Sequence, residues 1–171
     1  MRRRKRTLDI DFSQIPEIST TSAKEWAQIE RAYVDAISEI QVPYDLDAND
    51  ILRINSLVDQ VYSQARFDHA HAKKMLKHYE RRLSNAKKTL RLTFVKQKGQ
   101  TAADNDALIT QFLETSPIKP DTEPLYTLID RWEEREIFMD AVIDNLLKIT
   151  DKMVNGNGAL KLNAQGRGDV R

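Results

Sequence analysis

The stretch that decides the fold spans residues 50–98 and reads DILRINSLVDQVYSQARFDHAHAKKMLKHYERRLSNAKKTLRLTFVKQK. It contains neither proline nor glycine, the two residues that most often interrupt a helix. Its apolar residues recur at spacings close to three and four, which is the pattern of a heptad seam. They are Ile54, Val58, Val61, Ala65, Ala72, Leu76, Tyr79, Leu83, Ala86, Leu90 and Phe94. The pattern predicts one helix roughly 70 Å long, and such a helix needs a second long helix to cover its seam.

A second long helix is predicted after a break that contains three prolines between residues 117 and 124. It begins near Asp121 or Thr122, because Pro124 is tolerated in the first turn of a helix. Its seam alternates spacings of three and four. The seam residues are Leu125, Leu128, Trp132, Arg135, Met139, Val142, Leu146, Ile149 and Met153. The Asn-Gly-Asn-Gly sequence at 155–158 predicts its end.

Shorter segments complete the predicted organisation. Residues 22–42 predict an N-terminal helix that begins with a capping box between Ser22 and Glu25. Residues 104–114 favour a short helix between the two long ones. Residues 1–21 and 155–171 are expected to form a basic flexible arm and a flexible tail.

The predicted fold class is therefore all-α. A long antiparallel helical hairpin occupies residues 50–154, with an additional N-terminal helix and flexible termini. Two narrow seams leave an elongated hairpin incompletely packed, which favours a homo-oligomer.

The composition excludes several classes of protein. The 171 residues include no cysteine, so disulfides, thiolate zinc sites and cysteine nucleophiles are excluded. No apolar run approaches the roughly 20 residues that span a bilayer. The basic N-terminus has no apolar segment behind it, as a secretory signal would have. We therefore expect a cytoplasmic protein with no membrane partner, located in the host cytoplasm if a phage encodes it.

No pattern in the sequence favours catalysis. There is no glycine-rich phosphate loop and no nucleophile, base and acid in a recognisable order. His69, His71 and His78 are expected to be solvated rather than to bind a metal. We expect no enzymatic activity, no metal and no cofactor. Asp68 and Arg135 stand where the seams need apolar residues, and polar residues at such positions fix register or partner choice.

The formal net charge of +1 conceals blocks of opposite sign. Residues 7–65 carry a net charge of −8, residues 66–98 carry +9, and residues 99–151 carry −8. On a helical projection the cations of the central block point away from the seam. The predicted nucleic-acid-binding residues are Arg66, Lys73, Lys74, Lys77, Arg81, Lys88 and Arg91. The predicted oligomer-interface residues, on the outer face of the last helix, are Asp130, Glu133, Asp140 and Asp144.

Three interpretations of these two charged surfaces stay open. The basic surface of one copy could contact the acidic surface of the next and close a ring. It could instead bind a polyanion, most naturally the backbone of a nucleic acid. Both surfaces could also be simply solvated. Aromatic residues are few on the basic side, where Phe67 lies at about 100° on the projection while Tyr79 and Phe94 lie in the seam, so base stacking is expected to contribute less than phosphate contacts.

The layout resembles a known family. A long helix with Ala-Arg-Phe-Asp at 65–68, a basic second half, a polar break and a helix carrying Trp132 are similar to the UvsY-like recombination mediators of phages. The resemblance covers residues 50–154 and leaves out the arm, the first helix and the tail. It implies a helical ring that binds single-stranded DNA without sequence preference and helps to load a RecA-type recombinase against the single-strand-binding protein. Arg66 matches a DNA-contacting position, whereas Gln64 stands where the family has lysine.

The leading hypothesis is a non-catalytic single-stranded DNA-binding accessory protein of recombination or replication, acting as an oligomer. The alternative is a structural or adaptor hairpin that binds protein partners and no nucleic acid, in phage assembly or host inhibition. A transcription-associated DNA binder is less favoured, because no helix-turn-helix with a short glycine-containing turn is visible.

Overall fold

The computed structural model describes residues 23–40, 42, 47–93 and 101–166. Within them every regular element is a helix. The helices are α1 (Ala23–Glu39), α2 (Ala48–Thr93), α3 (Ala102–Thr115) and α4 (Leu125–Gly166). The predicted all-α class is confirmed. The predicted arm, the Ser22 capping box, the end of the central helix at 94–98 and the last five residues of the tail lie outside the described residues.

Helix α4 is longer than the sequence predicts. It continues to Gly166, whereas the Asn-Gly-Asn-Gly sequence at 155–158 predicted its end and a flexible tail behind it. Each of the two glycines costs about 1 kcal/mol relative to alanine inside a helix. Residues 159–162, Ala-Leu-Lys-Leu, are strong helix formers, and each added residue of a formed helix closes another hydrogen bond. Helix α4 therefore continues through both glycines.

Helix α3 begins with a capping box that places its start two residues before the predicted one. The Thr101 hydroxyl accepts a hydrogen bond from the Asp104 N–H at 3.2 Å, and Asp104 Oδ2 accepts one from the Thr101 N–H at 2.8 Å. These reciprocal bonds satisfy two N–H groups at the end of the helix. The hydrogen bonds from the Thr101 side chain and backbone lower the pKa of Asp104.

The chain divides into two compact units. The first consists of Met1–Asp68 and Phe138–Arg171, and the second of His69–Ile137. Helices α2 and α4 each contribute a segment to both units.

The first unit packs α1 against halves of α2 and α4. The ring of Phe138 makes edge-on contacts with Trp26 and Tyr33, with centroid distances of 5.8 and 6.4 Å. Asp68 is only 1% exposed. Its carboxylate accepts a hydrogen bond from the Tyr33 hydroxyl at 2.5 Å and one from Gln64 Nε2 at 3.1 Å. Burial, and then the hydrogen bond to Asp68, raises the pKa of Tyr33 far above its ordinary value.

The second unit has its core where α3 packs on α2 and α4. Ile109, Leu113 and Leu125 are buried there. Half-buried side chains surround them, namely Tyr79, Leu83, Ala86, Leu90, Ile118, Tyr126 and Leu128. Arg135 is 1% exposed, and its guanidinium lies 4.5 Å from the centroid of the Trp132 ring. Both polar residues of the predicted seams, Asp68 and Arg135, are thus buried.

Candidate nucleic-acid interface

All seven predicted nucleic-acid-binding residues lie on α2, and all seven side chains are exposed. Arg66 belongs to the first unit, and the other six belong to the second. The helical projection predicts this exposure, because the cations fall away from the apolar positions of the helix.

Four exposed cations lie on one side of α2 and are named the basic face: Lys74, Lys77, Arg81 and Lys88. They fall within about 60° of arc on the projection of α2. Among the described residues, no carboxylate lies within ion-pairing distance of any of the four. Three of them line a shallow depression of about 470 Å³ together with Ala70, Lys73 and His78. The charges of the basic face are therefore exposed to solvent.

Lys73 stands apart from the basic face because it has a counterion. Its ammonium lies 3.6 Å from Glu136 Oε1, and His69 Nε2 lies 3.8 Å from the same oxygen. The Lys73 side chain is still half exposed, so the ion pair is a weak one. Sequence spacing could not reveal it, because Glu136 comes from α4.

Arg91 is engaged more tightly. Its Nε and Nη2 donate hydrogen bonds to the two carboxylate oxygens of Asp106, at 2.8 and 3.0 Å. The hydrogen bonds and the charge of Asp106 raise the pKa of Arg91. A ligand phosphate can bind this guanidinium only in competition with Asp106.

Arg82 and Lys87 are the remaining described cations of α2 in the second unit, and they were not predicted as site residues. Arg82 Nη1 donates a hydrogen bond to Asp121 Oδ1 at 2.7 Å. Lys87 Nζ lies 5.3 Å from the centroid of the Tyr126 ring. Each is adjacent in sequence to a residue of the basic face and is therefore turned by about 100° on the helix, toward its unit's interior. Both side chains therefore make contacts within the second unit.

The acidic residues predicted for an oligomer interface are all exposed on α4. Asp130 and Glu133 lie in the second unit, and Asp140 and Asp144 lie in the first. In the first unit the same exposed side of α4 also carries Leu147 and Val154. Carboxylates and apolar side chains thus share one surface.

The histidines lie against aromatic rings or a carboxylate. The ring of His71 makes an edge-on contact with Trp132 at 5.8 Å, and His78 makes one with Tyr79 at 5.3 Å. No group of three His, Asp or Glu side chains suited to a metal ion occurs in the described part of the chain.

Comparison with protein-family models, with curated proteins and with solved structures finds no match to this chain. Among its described helices, none combines the length and the apolar character needed to cross a bilayer.

Proposed function

We propose that this protein is a non-catalytic single-stranded DNA-binding accessory protein of recombination or replication, a mediator that acts as an oligomer. The basic face is the observation that carries the proposal. Four exposed cations without carboxylate partners stand in one line on a single helix.

The chemistry of the basic face suits a phosphate backbone. Lys74 and Lys88 are separated by about 21 Å along the helix axis, since each residue adds 1.5 Å. Lysine and arginine contact phosphates without reading base edges, so binding is independent of sequence and weakens as salt rises. The resemblance to the UvsY-like family supports a single strand as ligand, with a RecA-type recombinase and a single-strand-binding protein as further partners. The resemblance also proposes Arg66, in the first unit, as a DNA-contacting residue.

The test compares two double variants with the same change in net charge. Lys74→Ala with Lys77→Ala removes half of the basic face, whereas Lys148→Ala with Lys152→Ala removes two exposed lysines of α4. Binding to a fluorescent single-stranded oligonucleotide is measured by anisotropy over a range of salt. The first variant is expected to bind more weakly, with a salt slope smaller by about 1.4, at about 0.7 per lost phosphate contact. The second is expected to bind like the wild type.

Equal losses in both variants would show that net charge, rather than the basic face, attracts the strand. Undetectable binding of the wild-type protein at low salt would end the proposal.

The oligomer is proposed to form by contact between the basic surface of one copy and the acidic surface of the next, a heterologous contact. Asp144→Lys is expected to lower the mass measured by light scattering, and Lys77→Asp in the same chain is expected to restore it. Restored mass without restored DNA binding would show that Lys77 takes part in both contacts.

A second candidate function is an adaptor that binds protein partners without nucleic acid. The exposed Leu147 and Val154 beside Asp144 and Asp151 favour it, because apolar side chains at heptad spacing suit a partner helix. Leu147→Ser with Val154→Ser is expected to abolish partner binding if the adaptor function is correct. The same variant is expected to leave DNA binding unchanged if the mediator function is correct.

A further inference from the structure

We infer that Phe67 is a stacking residue for one unpaired nucleobase and that it makes the protein prefer single strands to duplexes. The inference rests on the proposed function and names the part of the strand that this residue binds.

The exposure of Phe67 is the first observation. Its side chain is 68% exposed, although a phenylalanine on a helix with a well-formed core usually contributes to that core. It lies at one end of an open groove of about 890 Å³ on the first half of α2. An exposed aromatic ring loses its contact with water when a flat, polarisable partner covers it.

The side chains beside the ring suit the edge of a base. Gln60, Ser63 and Gln64 line the same groove within two helical turns of Phe67. Each carries both a donor and an acceptor, as the polar edges of bases do. Gln64 Nε2 already donates to Asp68, so its amide is held in place with the carbonyl oxygen left to accept.

The charges near the ring decide which part of a nucleotide enters. Arg66 is exposed next to Phe67, with its guanidinium 5.9 Å from the centroid of the Tyr62 ring. It can bind a phosphate at the rim of the groove. Asp59, which lines the groove, repels phosphate and accepts hydrogen bonds from amino groups. A base therefore enters the groove while the backbone stays beside Arg66.

Stacking on Phe67 requires a base whose face is free. In a duplex each base is covered by its neighbours, and exposing one costs a few kcal/mol. In a single strand the face is available, and any of the four bases can stack. The sequence predicted only a minor role for stacking because aromatic residues are few on the basic side of α2. The groove beside Phe67 is a feature that the structure adds.

The experiment uses the full chain and two single-stranded probes of 12 positions with the same phosphates, one of thymidine and one abasic. Phe67→Ala is compared with Leu52→Ala, an exposed apolar residue at the other end of the groove with 69% exposure. Phe67→Ala is expected to weaken thymidine binding about 5- to 150-fold, the equivalent of stacking one base. Abasic binding and the salt slope are expected to stay unchanged. Phe67→Tyr is expected to restore affinity, and Leu52→Ala to have no effect.

Several results would overturn the inference. They are wild-type affinity of Phe67→Ala for thymidine, an equal loss on both probes, and a change in self-association with DNA binding intact, which would assign the groove to a protein contact. Thermal unfolding of each variant shows whether it folds. A wild-type protein that binds neither probe refutes the proposed function itself, whereas one that binds both probes equally refutes only the stacking role.

Discussion

The two halves of α2 differ in burial and in charge. Residues 48–68 bury five side chains, namely Ile54, Val58, Val61, Ala65 and Asp68. Residues 69–93 bury only Ala72, and their other apolar side chains along the seam are half buried. The first half carries two cations and the second carries eight. A closely packed half anchors the helix, and the more open half presents charge, because long lysine and arginine stems cover apolar surface while their heads stay in water.

The largest loss of stability is expected when a buried side chain in the closely packed half of α2 is truncated. Ile54→Ala is expected to lower the free energy of unfolding by about 2–5 kcal/mol, since a buried isoleucine leaves a cavity. Leu90→Ala, in the open half, is expected to cost clearly less, because water already reaches that side chain. Urea denaturation followed by circular dichroism measures both. Equal losses would show that the two halves do not differ in packing.

The next largest loss of stability is expected when the hydrogen bond that joins α1 to the closely packed half of α2 is removed. Tyr33→Phe removes one donor from buried Asp68 and is expected to cost about 1–3 kcal/mol in the same measurement. Ser38→Ala, whose hydroxyl bonds only its own helix at the surface, serves as the control.

The attachment of α1 also predicts a pH dependence. Because burial raises the pKa of Tyr33, folding favours the neutral phenol. The stabilisation is complete below the usual tyrosine pKa of about 10 and is lost as pH rises above it. The difference in stability between wild type and Tyr33→Phe is therefore expected to shrink above that pH. A difference that grows with alkaline pH would contradict the assignment.

A smaller loss of stability is expected from a change at the start of α3, in the second unit. Thr101→Ala removes the cap and is expected to cost about 0.5–2 kcal/mol, whereas Thr115→Ala at the other end of the helix is expected to cost less. The lowered pKa of Asp104 means that its contribution is present at neutral pH and is lost as pH falls through that lowered value. Thermal unfolding of both variants, at neutral and at acid pH, tests this.

The smallest expected effect is a difference in the salt slope of DNA binding between two cations in the second half of α2. Lys88→Ala and Arg91→Ala are both expected to leave the stability nearly unchanged. Lys88→Ala is expected to reduce the salt slope of DNA binding by about 0.7, and Arg91→Ala by less, because Asp106 already binds Arg91. Equal slopes for the two variants would show that the ion pair to Asp106 opens freely.

The sequence predicted features that depend on one helix alone. The heptad spacing predicted α2, the buried positions of Asp68 and Arg135, and the exposure of the seven cations. It did not predict the partners of Lys73 and Arg91, because Glu136 and Asp106 come from other helices. The sequence also placed the end of α4 too early. The glycines at 156 and 158 favour an end there, but the strong helix formers at 159–162 extend the helix. The binding of DNA by the exposed cations stays a prediction.

If the proposed function is correct, the contact between Arg91 and Asp106 would link the binding of a strand to the mobility of α3. A phosphate that takes the guanidinium displaces the carboxylate and removes one tether of α3 to α2. Amide hydrogen exchange in α3 should then quicken when the strand is bound, so a helix outside the proposed interface would report its occupancy.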